Sequence, residues 1–255
     1  MGALHDGHLA LVERACELAD DVVVSIFVNP LQFDVRADFD RYPRPIDDDL
    51  AACAAVGVDA VYAPTAGAMY PDGFDTRVVP GRLAEVLEGL HRPGHFEGVT
   101  TVVTKLFTAV RPDLAVFGRK DAQQLALVRR LTVDLDLGVE IIAHPTVREA
   151  DGLALSSRNR RLSTEDRAAA VCISAGLFAA GRLHAAGERR SDVIVEAARR
   201  PIEGEPRARL EYLEFVDEAT FAPVGEEAST GLLVAAAWFG EIRLIDNLPL
   251  PGEAV

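Results

Sequence analysis

At 255 residues, 49% of them hydrophobic, the chain is long enough to bury one large core or two smaller ones. A net charge of −14 and an isoelectric point near 4.8 argue against a nucleic-acid partner held by a basic face, and small molecules are the partners that fit. Cys16, Cys53 and Cys172 are scattered, with no CxxC and no Cys/His ligand spacing, so a structural zinc site is not expected and a reducing compartment is, read as the cytoplasm; no apolar run is expected to span a membrane and no signal-peptide pattern opens the chain.

The chain opens on Met1-Gly2-Ala3-Leu4-His5-Asp6-Gly7-His8, ahead of a run that places Leu9, Val12, Ala15, Cys16 and Ala19 on one helical face. Two imidazoles at a helix N-terminus, beside glycines that allow close approach, form a phosphate site: free N–H groups and the positive end of the dipole favour an anion. The bland alternative is a pair of surface caps. Asp21–Val28 then reads as a buried parallel strand, with Asn29-Pro30-Leu31-Gln32-Phe33 at its carboxyl end, where open α/β sheets bind ligands. Gln32 there is either a solvated loop residue or a substrate contact.

Asp47, Asp48 and Asp49 start a helix to about Val56; they are read as complements to its dipole, with Mg2+ on Asp48 or Asp49 as the alternative. Val58–Ala63 is a strand, Thr76–Val79 a short strand and Arg82–Leu90 a short helix. The turn-rich stretch His91–Gly98 is either a plain connection or a mobile lid over an anion, before a helix from Val99 to about Val110 that carries Lys105 as a solvated or paired charge. Leu114–Phe117 is a strand with Gly118-Arg119-Lys120-Asp121 at its end, and a helix follows from about Ala122 to Leu135, where Gln123 or Gln124 should face the ligand. The 26 basic side chains include only two lysines, Lys105 and Lys120, so a lysine at that strand end stands out as a phosphate point charge.

Val139–Ala143 is the next strand, followed by a loop ending in Leu155-Ser156-Ser157-Arg158-Asn159, whose hydroxyls and arginine suit phosphate oxygens. A helix from Ser163 to about Leu183, another from Ser191 to Arg200, and strands at Arg209–Val216, Gly231–Trp238 and Glu241–Ile245 complete the chain. The βαβ alternation predicts a doubly wound, Rossmann-like parallel sheet over residues 1–147 and a smaller α+β unit over residues 148–255 that carries the SSRN loop.

HxGH opening a helix is the signature of a nucleotidylyl-transferase superfamily, and MGALHDGH, FVNPLQF, RPGHFEGV and PTVREADGLALSSRN together resemble the pantothenate synthetase (pantoate–β-alanine ligase) family. The GRKDAQQ string departs from that family's GEKDYQQ at Arg119 and Ala122. The resemblance implies ATP-dependent condensation of pantoate with β-alanine through pantoyl adenylate, with Mg2+, in a homodimer. It implies that His5, His8, Lys120 and Arg158 are catalytic, His8 as proton donor. Met1, Gly2, Ala3, Leu4, Asp6, Gly7, Gly118, Arg119, Asp121, Val147, Leu155, Ser156 and Ser157 join them in holding ATP, while Gln32 and Gln124 orient pantoate and Asn29 orders the site. The rival readings are another HxGH nucleotidylyl transferase and a truncated or non-catalytic paralogue that binds ATP or pantoate. In the family a helix and a strand precede this first turn, so the sheet is expected to lack its first strand, leaving Asp21–Val28 and Leu114–Phe117 on either side of an empty position in the order 3-2-1-4-5.

Overall fold

Helical spacing of apolar residues and a histidine cap set α1 (Asp6–Leu18), which buries Val12 against Val24, Ile26 and Cys53. In this computed structural model, which describes residues 2–33 and 36–252, the strand after it is shorter than its apolar run: β1 is Val23–Ser25. Its partner β2 (Ala60–Tyr62) offers three residues in parallel register, Val23 against Ala60 to Ser25 against Tyr62, and the Asp59 carboxylate takes the Val22 N–H at 2.8 Å. Between them lie α2 (Arg36–Arg41) and α3 (Ile46–Ala55), and α4 (Ala66–Met69) and α5 (Glu88–His91) are single turns. The larger elements are α6 (His95–Val110), β3 (Leu114–Gly118), α7 (Ala122–Asp134) and β4 (Glu140–His144). Phe96, Val99, Val103 and Phe107 of α6 pack with Leu127, Val128 and Leu131 of α7, and with Phe117 and Ile141 on the strands.

Several boundaries differ from the sequence reading, among them that of the last strand, which runs from Ile242 to Leu250 and so continues past Ile245. Thr76–Val79 forms no strand, because its backbone bonds go to side chains: the Val78 N–H donates to Thr101 Oγ1 at 3.0 Å and Thr100 Oγ1 donates to Val78 O at 2.6 Å. The stretch 82–90 is a 3₁₀ turn at Arg82–Ala84 and then α5, rather than one helix. α6 starts four residues before Val99, so the second half of the presumed loop is helical.

The parallel strands form two separate pairs, β1 with β2 and β3 with β4, and among the described residues no strand joins one pair to the other. Each of these two pairings is one that the expected order contains. α1 touches both pairs: Val12 packs on β1, and Leu11 lies 3.9 Å from where a side chain on Gly118 would begin.

The C-terminal part is mixed in a different way. Ser163 Oγ caps α8 (Thr164–Ala185) by accepting from the Asp166 N–H at 3.0 Å, and α9 (Ser191–Glu203) packs along it. Strands β5 (Ala208–Val216), β6 (Gly231–Phe239) and β7 (Ile242–Leu250) run antiparallel in that order. Ile173, Leu177, Ile194, Ile202, Leu233 and Phe239 form its core. Against expectation, α8 is long and apolar enough by composition to cross a membrane, but its buried face of Ala169, Ala170, Ile173, Leu177 and Ala180 belongs to that core.

The backbone divides into two compact units. The first takes the chain as far as Gly118 together with Gln123–His144, and the second takes Pro145 onward together with Arg119–Ala122. The second unit therefore owns a four-residue turn that sequence adjacency places with the first.

Candidate active site

In the first unit the HxGH turn is built by a carboxylate far away in sequence. Asp49, in the first turn of α3 and 2% exposed, accepts from the Ala3 N–H at 2.9 Å and the Leu4 N–H at 2.7 Å. These bonds hold Ala3 at φ 52°, a left-handed conformation that costs a non-glycine residue energy and persists where its surroundings fix it. A side chain at Gly2 would begin 3.3 Å from Val28 Cγ2, so the turn lies against the segment that leaves β1. Asp49 is thereby given to the backbone, whereas Asp48 is exposed. Among the described residues no group of three or more His, Cys, Asp or Glu side chains gathers to hold a metal.

His5 caps α1, and its Nδ1 accepts from the Gly7 N–H at 3.2 Å, which places the proton of the neutral ring on Nε2. His8 sits one turn on, its ring centroid 4.0 Å from that of His5. Asp6 is exposed; Gly2 and Ala3 are buried, and Leu4 and Gly7 half-buried. Met1, also expected at the nucleotide, lies outside the described residues.

At the carboxyl end of β1 a second polar cluster fixes one amide. Asn29 is 2% exposed; its Oδ1 accepts from the Leu31 N–H at 3.2 Å and the Tyr70 hydroxyl at 2.8 Å, and its Nδ2 donates to Gly98 O at 3.0 Å and Gln32 Oε1 at 3.2 Å. Burial pushes Tyr70 up to about 12, so the phenol keeps its proton for Asn29 at any physiological pH. With Oε1 engaged, Gln32 has its Nε2 as the donor end. The Asn29 side chain orders this turn.

The stretch 91–98 braces the same turn. His95 Nδ1 donates to Gln32 O at 2.8 Å and Arg92 Nη2 donates to it at 3.3 Å, while Arg92 Nη1 lies 3.1 Å from His95 Nε2. A side chain on Gly98 would begin 2.3 Å from Leu31 O, so only glycine allows this approach. Of the two glutamines on α7, Gln123 is buried and spent on backbone: Nε2 donates to Leu83 O and Val86 O, both at 2.8 Å, and Oε1 accepts from the Glu88 N–H at 3.1 Å. Gln124 is the half-buried one of the pair. Lys105 lies over the Phe74 ring, 5.0 Å from its centroid.

The second unit carries the remaining predicted phosphate contacts. Gly118 closes β3, and Arg119–Asp121 is one 3₁₀ turn. The Lys120 side chain is 18% exposed, with Nζ 4.0 Å from Asp121 Oδ1. Arg119 pairs with Glu218 at 2.8 Å. Asn247 on β7 donates from Nδ2 to both Arg119 O and Lys120 O at 2.9 Å. Its neighbour Asp246, 3% exposed, takes the Arg148 guanidinium in a fork at 2.7 and 2.9 Å. Burial pushes the Asp246 carboxyl up, against the pull of Arg148 and of the Lys120 charge.

Residues 147–155 fold back as a hairpin: Leu155 N–H donates to Val147 O at 2.9 Å and Glu149 N–H to Leu153 O at 2.8 Å. Ser156 Oγ accepts from the Arg158 N–H at 3.2 Å and starts the turn Ser157–Arg161. Asn159 Nδ2 donates to Glu149 Oε1 at 2.9 Å, and Arg167 bridges Glu149 at 2.6 Å and Asp151 at 2.8 Å. The hydrogen bond from Arg167 holds the Asp151 carboxyl below its usual 3.8. Val147, Leu155, Ser156, Ser157 and Arg158 are all half-buried.

Sequence reasoning missed the staple made by Asp49 and the pair Asp246–Asn247. The first had no local signal, since its partners are 45 and 46 residues away. The second had one: a charged and an amide residue side by side inside the apolar strand Ile-Arg-Leu-Ile-Asp-Asn-Leu-Pro-Leu.

A pair of adjoining histidine rings at a helix N-terminus, on a parallel α/β unit whose strand ends carry fixed donors, defines a nucleotide-handling α/β protein of the HxGH type. Comparison with known proteins narrows this. The family described as pantoate-beta-alanine ligase matches residues 1–249, and the chain belongs to that family. It is 55% identical over 254 residues to the pantothenate synthetase of Acidothermus cellulolyticus, covering 98% of this chain and 83% of that one. It is 53% identical over 262 residues to that of Thermobifida fusca, covering 98% and 87%. The crystal structure of pantothenate synthetase from Thermus thermophilus superposes with a TM-score of 0.94 at 46% identity, over 97% of this chain and 90% of that one. Pantoate-beta-alanine ligase from Francisella tularensis, crystallised with beta-gamma ATP and beta-alanine, gives 0.79 at 34% identity, over 98% and 87%.

Proposed function

We propose that this chain condenses pantoate with β-alanine at the expense of ATP. A pantoate carboxylate oxygen attacks the α-phosphorus, forming an O–P bond as the bond to the bridging oxygen breaks and pyrophosphate leaves. The β-alanine amine then attacks the acyl carbon, AMP departs, and the amide loses its extra proton. No protein nucleophile is needed, because proximity and charge stabilisation supply the catalysis.

The observation that carries this reading is that the HxGH turn lies against Val28 while Asn29 fixes Gln32 one turn further on, so an anion-binding helix end and an acid-orienting amide share one end of β1. Gln32 Nε2 donates to a pantoate oxygen and Gln124 is its partner in orienting that acid. His5 and His8 donate to phosphoryl oxygens, His8 delivering a proton, and the N–H groups of the turn 2–7 back them. Lys120, Ser156, Ser157 and Arg158 neutralise the phosphates, with Gly118, Arg119, Asp121, Val147 and Leu155 around the nucleotide.

Mg2+ bound at this site would supply positive charge against the phosphates; with Asp49 committed to two amides, Asp48 would be the residue of the Asp48–Asp49 pair to hold it. The family's activity, the intact Lys120 and Asp121, and an Arg119 accommodated by Glu218 disfavour a binding-only paralogue. A cytoplasmic homodimer completes the reading. The test is pantoate-dependent ATP–pyrophosphate exchange: His8→Ala and Lys120→Ala each lose about 100-fold or more, near 3 kcal/mol of transition-state stabilisation, with unchanged melting. Exchange near wild-type levels in either variant removes that residue from the chemistry, and exchange driven equally by other acids removes the substrate.

A further inference from the structure

Lys120 needs an exact position to neutralise charge in a transition state, and its own turn has only three residues, between the end of β3 and the start of α7. That turn is also held by an amide from the far end of the chain. Asn247, 4% exposed, points both N–H groups of Nδ2 at consecutive carbonyls, Arg119 O and Lys120 O, at 2.9 Å each. An amide that serves two neighbouring carbonyls sets both the position and the tilt of the peptide between them.

Asn247 is itself fixed. Its N–H donates to Asp246 Oδ1 at 2.8 Å, and its carbonyl accepts from Arg148 Nη2 at 3.2 Å. Arg148 in turn forks onto Asp246, donates to Gly152 O at 3.0 Å, and lies over the Phe178 ring at 5.0 Å. It follows Val147 directly, in the hairpin that runs into Ser156-Ser157-Arg158. The lysine turn and the serine–arginine loop are thus both referenced to two adjacent residues of β7.

We propose that Asn247 is a positioning residue for Lys120, acting through the Arg119 and Lys120 carbonyls to place the ammonium for adenylate formation. This rests on the reading of Lys120 as a phosphate-neutralising group. A purely structural amide would affect stability alone; a positioning amide affects turnover, and does so only while the lysine is there to be positioned.

The experiment uses the full chain with Asn247→Leu, which keeps much of the volume and loses the donors, and Asn247→Ala, each alone and with Lys120→Ala. Turnover and the Michaelis constants for ATP and pantoate are measured by pyrophosphate release. The expected result is a loss of about tenfold or more in kcat from Asn247→Leu with pantoate KM unchanged, and little further loss when Lys120→Ala is already present. The same fold loss in both backgrounds, or normal turnover, overturns the inference. Should neither Asn247 variant fold, the unmodified protein decides: scalar coupling across hydrogen bonds from the Asn247 side-chain nitrogen to the Arg119 and Lys120 carbonyl carbons supports the clamp, and its absence overturns it. Full activity in Lys120→Ala would sink the functional reading itself, whereas an inactive Lys120→Ala beside a normal Asn247→Leu sinks only this inference.

Discussion

The two units are each stabilised by different means. In the second, three strands of nine residues each run antiparallel and bury β6 almost throughout, under two long helices whose Ile173, Leu177 and Ile194 are at most 1% exposed. In the first, the parallel pairs are three and five residues long, and every residue of β3 is half-buried at best. There the site-bearing turns are tied by single polar side chains, Asp49, Asn29 and Gln123, each to backbone groups far off in sequence. Apolar burial is non-directional and stabilises a fold; a hydrogen bond has direction and places an atom. Turns in both units draw on the second kind, the Lys120 turn of the second unit through Asn247.

That contrast is open to attack, first at its strong end. Leu233→Ala, in the middle of β6, should cost about 2–5 kcal/mol, seen as a lowered denaturation midpoint, with turnover of the remaining folded protein little changed. Gly98→Ala should reverse that balance. A methyl group 2.3 Å from Leu31 O forces the Asn29–Gln32 turn to move, so destabilisation of about 1–3 kcal/mol should come with a raised KM for pantoate. An unchanged pantoate KM would mean that Gln32 is not held where the substrate binds.

Asp49→Asn comes next. It replaces a two-oxygen acceptor with one that can serve only one of the Ala3 and Leu4 N–H groups, leaving a buried donor unmet at about 1–3 kcal/mol, and it should weaken ATP more than pantoate. Equal effects on both substrates would show that the staple does not shape the HxGH turn specifically. The smallest effect concerns pH. Asp151 is held below its usual 3.8 by Arg167, so the folded state binds fewer protons than the unfolded chain. Its contribution is complete above that value and lost as pH falls through the lower folded value, and Asp151→Asn should flatten the acid limb of the stability profile by well under about 1 kcal/mol.

The legible part of this molecule follows the same division. The helix capped by Ser163, the first two strands of the second unit and the HxGH helix were readable because each is specified by neighbours in sequence, whereas the last strand, read as ending at Ile245, runs on to Leu250. The parallel strand pairs could be ordered from βαβ alternation, though β1 proved less than half the length of its apolar run, since its partner offers only three residues. The misreadings fall on long-range polar bonds. Asp49 looked like a dipole complement or metal ligand, and Thr76–Val79 looked like a strand because nothing local reveals that Thr100 and Thr101 will take its backbone groups. Spacing alone left Gln123 and Gln124 indistinguishable, the family resemblance pointed to Gln124, and the structure has Gln123 bound to Leu83 and Val86.

The turn Arg119–Ala122 has a consequence for heredity. It is encoded amid the first unit and folds with the second, so no single crossover in the gene separates the two units cleanly. A chimaera joined at position 145 from two divergent relatives would pair one parent's Lys120 turn with the other parent's Asn247. Both carbonyl acceptors are backbone and survive any such exchange, but the amide does not unless both parents carry it. The side chains at 119 and 218 are a second such couple, Arg119 with Glu218 here, and a parent bringing an acid to position 119 would set two like charges together. Recombination across this chain is therefore constrained at 119, 218 and 247 as one linked group, although those positions span half the sequence.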